Sequence, residues 1–163
     1  MFDPNNNYIN VESMPVNTCK TISKAGKTRV RHTLIEDRTL ALIKEYLDSK
    51  EEVIVALEQV STRPTDGVAS AGVFMRQYGF LRGAILSHGN AQLIDFLPRV
   101  WRGIVGLKPG DTKSVSLTKA MELCVGVNRF FLKAKDDGKA EAFLIAYAAW
   151  IKWKRGIQTK DVG

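Results

Sequence analysis

Five consecutive apolar residues, Val53 to Leu57, run straight into an acid, Glu58. A strand with one wet face alternates apolar and polar side chains. This one does not, so it predicts a strand covered on both faces, as in a parallel sheet. Such a strand needs helices on both sides, and the flanking sequence offers them. Thr33 and Glu36 can form a capping box opening a helix on which Leu40, Ile43 and Leu47 recur on one side. A longer helix is predicted from Val68 to Ser87, with Gly89 just beyond it. Phe74, Tyr78, Leu81 and Ile85 form its larger apolar stripe, and Gly72, Gly79 and Gly83 permit close packing. "AQLIDFL" is the next strand, stopped by Pro98. Asp111 can cap a helix through about Cys124, and a final helix runs from about Gly138 to Arg155. Before all of these, "NYINVESMPV" alternates and predicts a strand ended by Pro15, while "NTCKTISKAGKTRVRH" has little periodicity and predicts a basic loop. Strands alternating with helices give an α/β layered domain.

A chain of 163 residues is most simply one domain, residues 1–163, large enough for a proper core. Its formal charge of +7 suits a polyanionic partner, although a basic protein with no nucleic-acid role carries the same signature. Cys19 and Cys124 have no Cys or His at zinc spacing, and two cysteines make no disulfide framework. No apolar run approaches a membrane span, and "MFDPNNNYIN" is too polar for a signal peptide. The expected setting is the cytoplasm, or the host's cytoplasm for a viral protein.

The acids carry the chemical information. Glu58 ends the inner strand, at the carboxyl edge where open α/β sheets place their sites. "AKDDGKAEAFLIA" adds Asp136, Asp137 and Glu141, and the last two, four apart, share a helix face. Converging carboxylates suit hard divalent cations, and a pair of ions about 3.5–4 Å apart can drive phosphodiester hydrolysis. Against that, Asp136 and Asp137 also suit a helix N-terminus, where acids meet the dipole and free N–H groups. Glu58 and Glu141 sit in apolar surroundings where an unpaired charge is costly, and a salt bridge to Lys or Arg would explain them equally. "GLKPGDTKS" lacks the Gly-Lys-Ser order of a phosphate loop, so Lys113 is a phosphate contact at a helix start or a solvated charge. His32 and His88 are isolated, which excludes a convincing Ser/His/Asp set. Trp150 and Trp153, with Lys152, Lys154 and Arg155, could stack on bases or form a partly buried helix end.

"VIVALEQVSTRPTDGVASAGVFMRQYGFLRGAI", "PRVWRGIVGL" with "GDTKS", and "KDDGKAEAFLIAYAAW" together resemble the RuvC-type crossover-junction endonucleases, most of all the short bacteriophage versions. The resemblance runs from about Tyr8 to Trp153. It implies an RNase H-like mixed sheet flanked by helices, a homodimer, and Mg²⁺- or Mn²⁺-dependent cutting of four-way DNA junctions. On this resemblance Glu58, Glu141 and Asp137 are catalytic, and Glu58, Asp136, Asp137 and Glu141 hold metal. The position three before Glu141 is Gly138, so Asp136 and Asp137 compete for one ligand role. Lys113 matches a basic residue near the family's cleft, and the helix from Val68 to Ser87 matches the one that pairs subunits. Arg63, Arg76, Arg82 and Lys113 are the expected DNA contacts.

The resemblance fails at the front. The family opens on a strand ending in a metal-binding Asp. Here "MFDPNNNYIN" reads as the turn after the second strand, and Asp3 has only Met1 and Phe2 before it. The expectation is a fold whose N-terminal strand is missing, lacking about five buried side chains worth roughly 1.5–3 kcal/mol each. A native product beginning upstream of Met1 would restore them. The leading expectation is a metal-dependent endonuclease of branched DNA. The alternative is a non-catalytic junction-binding homologue that has lost the front Asp, and a third reading is a nuclease of the same fold acting on other DNA or RNA.

Overall fold

The structure is a computed structural model that describes residues 2–3, 8–22, 26, 28–48, 52–59, 61, 67–124 and 136–156. Its elements are β1 (Phe2–Asp3), β2 (Tyr8–Ile9), β3 (Val16–Ile22), β4 (Thr28–Leu34), α1 (Glu36–Leu47), β5 (Val53–Glu58), α2 (Val68–Leu86), β6 (Ala91–Phe96), α3 (Pro98–Ile104), α4 (Lys113–Leu123) and α5 (Asp137–Lys154). They form two compact units, one of residues Met1–Ser13, Glu52–Gln59 and Gln92–Gly163, the other of Met14–Glu51 and Val60–Ala91.

The first unit is organised by α5. Ala140, Phe143, Leu144 and Ala148 recur at helical spacing and are all buried, so one stripe of this helix faces a core. Ile94 and Phe96 of β6, Trp101 of α3, Leu107, and Ala120 of α4 complete that core, with Ile54 and Ala56 of β5 packed against it. Every residue from Val53 to Leu57 is half-buried, which is why the run does not alternate. β5 pairs with β6, and their carboxyl ends meet where the Gln59 N–H donates to the Phe96 carbonyl at 2.8 Å. Pro98 does more than stop β6: it is the first residue of α3, where its missing N–H costs nothing.

The second unit holds the β3–β4 hairpin and two helices. The hairpin is antiparallel, in register from Val16↔Leu34 to Ile22↔Thr28. The Ile35 N–H closes its base on the Pro15 carbonyl at 2.9 Å, and Gln77 of α2 accepts the Leu34 N–H at 3.0 Å. Arg76 of α2 bonds Glu36 of α1 at 2.6 Å, and the Asn90 amide donates to the Leu47 carbonyl. His88 lies just past α2, after the Ser87 C-cap, its Nδ1 2.9 Å from the Ala84 carbonyl.

Several expectations are corrected. The basic loop is a hairpin. Neither of its faces is buried as a whole, so no apolar period marks it, and only its Thr and Val content betrays the strands. Thr33 lies in β4 and does not cap α1; the N-cap is Ile35, without a side-chain bond. Asp111 accepts the Lys108 N–H at 2.6 Å and closes that turn, leaving Thr112 as the N-cap of α4. The alternating strand is only two residues long, Tyr8–Ile9. Phe2–Asp3 is not a turn: it pairs antiparallel with β2, Asp3 opposite Tyr8, and β1 packs against α5. Two residues suffice because a partner and a helix complete them. Among the described residues the strands form three two-stranded ladders rather than one mixed sheet. Among the described residues the glycines of α2 meet nothing within 4 Å of where a Cβ would stand, so Gly72, Gly79 and Gly83 serve no close approach to any of them.

Candidate active site

Glu58 and Glu141 come together from distant parts of the sequence. Glu58 is carried to the end of β5 by an apolar run that cannot turn outward until the strand stops. Glu141 lies in the second turn of α5, on the residue after the fully buried Ala140, and α5 packs on β5. Glu58 is exposed at the end of β5, but partial burial of its carboxyl raises its pKa above the usual glutamate range. The negative charge of Glu141 raises it further, and the Arg102 guanidinium pulls the other way. Arg102, from α3, has its Nη1 4.0 Å from Glu141 Oε1 and donates from Nη2 to the Asp111 carbonyl at 3.0 Å. It also lies over the Trp101 ring, 5.5 Å from its centroid.

The other two acids hold lysines. Asp137 bonds Lys113 at the start of α4; the bond keeps its carboxyl below the usual aspartate range and raises the lysine. Asp136, at the N-cap of α5, lies 3.6 Å from Lys139 Nζ. Among the described residues no group of three or more Asp, Glu, His or Cys gathers closely enough to hold a metal ion. Glu58 and Glu141 offer carboxylate oxygens of the kind Mg²⁺ takes, which binds through one or two carboxylates plus water and phosphate.

Of the expected DNA contacts, Arg76 is engaged by Glu36, and Arg82 lies over the Tyr78 ring at 5.7 Å. Lys113 is engaged by Asp137, and Arg63 lies outside the described residues. Trp150 contacts Tyr147, with ring centroids 5.3 Å apart, and carries Lys154 over its face, while Trp153 is 57% exposed. Two residues escaped sequence reasoning. Arg102 answers the need for a cation beside an acid in apolar surroundings, but nothing in "PRVWRGIV" points to Glu141. Asp3 was set aside because its strand is short; the backbone puts it on β1, against the helix that carries Glu141.

No helix among the described residues is long and apolar enough to cross a membrane. No family model and no curated protein matches the chain. Among solved structures, Thermus thermophilus RuvC is similar with a TM-score of 0.51 and 16% identity, over 86% of this chain and 88% of that one. At that identity the likeness is one of fold: a mixed α/β chain of RuvC-like architecture.

Proposed function

We propose that residues 1–163 form a metal-dependent endonuclease that cuts branched DNA, a Holliday-junction resolvase-like activity on a homodimeric scaffold. The observation that carries this reading is that Glu58 ends β5, which packs on the helix carrying Glu141, so that the charge of Glu141 is felt at Glu58. An acid whose proton affinity is raised by a neighbouring carboxylate gains from a divalent cation placed beside it. Glu58 and Glu141 would hold Mg²⁺ or Mn²⁺, with Asp137 and Asp136 as competing candidates for a further ligand. The ion, when bound, supplies Lewis-acid stabilisation and a water of lowered pKa. Arg102 holds Glu141 in place and offsets the negative charge that a phosphate brings. Lys113 is an exposed cation beside the carboxylates that meets the phosphate backbone.

The test is cleavage of a synthetic four-way junction in Mg²⁺ by the chain and by Glu58→Gln. The variant removes one ligand without changing shape and is expected to lose at least about a hundredfold in rate. Undiminished cutting would remove Glu58 from the mechanism. A second reading, a junction-binding protein without catalysis, is favoured by the absence of a three-carboxylate group among the described residues. Salt-sensitive junction binding with no cutting in Mg²⁺ or Mn²⁺ would decide for it.

A further inference from the structure

From Met14 to Ile35 the sequence carries Lys20, Lys24, Lys27, Arg29 and Arg31 and no Asp or Glu. The β3–β4 hairpin built from this stretch is bonded at its base, where Leu34 bonds Gln77 and Ile35 bonds Pro15. Away from that base most of its described side chains are exposed, with Arg31 half-buried. Ile22 is 77% exposed, Val30 is 50% exposed, and Lys20 and His32 are exposed as well. The register sorts the residues onto two faces. Thr18, Lys20, Val30 and His32 share one, with Lys20 opposite Val30 and the Thr18 hydroxyl 3.0 Å from His32 Nδ1. Asn17, Cys19, Arg31 and Thr33 share the other, with Cys19 opposite Arg31, and Arg29 takes a register position on that same face.

A ribbon charged on one side would lie flat on a surface. Positive charge on both faces, with no acid between them, suits a slot whose two walls are negative. The major groove of B-form DNA is such a slot, about 12 Å wide, and it admits a two-stranded β-ribbon. Threonines and Asn17 add neutral donors for phosphate oxygens.

We propose that the β3–β4 hairpin enters the major groove of a duplex DNA arm, with Lys20 facing one phosphate wall and Arg31 the other. This rests on the reading of the chain as a DNA-acting protein, but it concerns grip, not chemistry. Contacts are to phosphates, so binding through the ribbon is indifferent to sequence and falls with salt.

The test is fluorescence anisotropy of a labelled DNA duplex in EDTA, which separates binding from cutting. Lys20→Glu/Arg31→Glu is compared with Lys44→Glu/Lys119→Glu, an equal change of net charge elsewhere, and thermal midpoints check that both fold. Lys20→Gln/Arg31→Gln repeats the test should the reversal fail to fold. The hairpin variant is expected to bind at least about tenfold more weakly than its control, with a log K against log salt slope shallower by about two. Cys19 gives a local readout, because it is exposed on the Arg31 face while Cys124 is buried and its thiol pushed up by burial. Saturating duplex is expected to slow maleimide labelling of Cys19 severalfold. Equal binding by both double variants, or labelling of Cys19 untouched by DNA, would overturn the hairpin's role and leave the nuclease reading standing. Equal affinity for double-stranded RNA, lost through the same substitutions, would overturn groove entry, since the RNA major groove is too narrow. No binding of DNA by the unaltered chain would overturn both.

Discussion

The Glu58 carboxyl is held between opposing influences, and substitution can separate them. Burial and Glu141 raise its pKa, and Arg102 lowers it. In carboxyl-resolved NMR titrations Glu58 is expected to titrate above an ordinary glutamate, to fall in Glu141→Gln and to rise further in Arg102→Ala. A fall in Arg102→Ala would sink this account of the site. The sign for stability follows. A carboxyl whose folded pKa is raised favours the protonated fold, so a cost develops as pH rises from the unfolded value through the folded one. Glu58→Gln removes that cost, and its thermal midpoint at neutral pH should therefore lie above that of the unaltered chain. Asp137 has the opposite sign. Its pKa is lowered by Lys113, so its contribution is present above the unfolded pKa and lost as pH falls through the folded one. Asp137→Asn should narrow the difference between neutral and acid stability, as pH-dependent thermal melts would report. Because the pair is at the surface the change is small.

At the scale of elements, α5 carries both the core and the chemistry. Leu144 is fully buried and lies one turn from Glu141. Leu144→Ala should cost about 2–5 kcal/mol in denaturant unfolding, whereas exposed Trp153→Ala should stay within about 0.5 kcal/mol. Equal losses would mean that the stripe facing the core has been misassigned. The buried elements were the legible ones. β5, α2, β6 and α5 each have a burial pattern that must be written into the apolar residues, and sequence located them within a residue or two. The hairpin had no such mark, because a ribbon wet on both sides demands neither alternation nor apolar content. β1 was missed for a related reason: two residues hold no period, and their place depends on partners elsewhere in the chain. The site divides along the same line. Glu58 and Glu141 stood out because carboxylates are expensive beside apolar residues. The Arg102 and Lys113 partnerships depend on how α3 and α4 meet α5, which local sequence does not encode.

At the scale of the whole molecule, the apolar surface left over on α2 bears on assembly. Sequence predicted one stripe through Phe74, Tyr78, Leu81 and Ile85, but burial changes along it: Ile85 is 2% exposed and Phe74 is 57% exposed. Met75 and Val68, one heptad apart, are 48% and 90% exposed, and Gly72 and Gly79 leave open backbone beside them. A second copy of the helix can approach closely at such positions, and a two-fold pairing would present the same patch from both chains. If the chain acts as the proposed homodimer, Phe74→Glu places like charges at the centre of that contact. Sedimentation should then show monomer where the unaltered chain is dimeric, with the far-ultraviolet circular dichroism spectrum unchanged. Junction cutting separates this from general damage. A dimer brings two Glu58–Glu141 sites to one junction and can release paired incisions, whereas a monomer leaves single nicks. Nicked junctions accumulating at an undiminished first-cut rate is therefore the expected result. A variant that stays dimeric and still makes paired incisions would move the subunit contact away from α2.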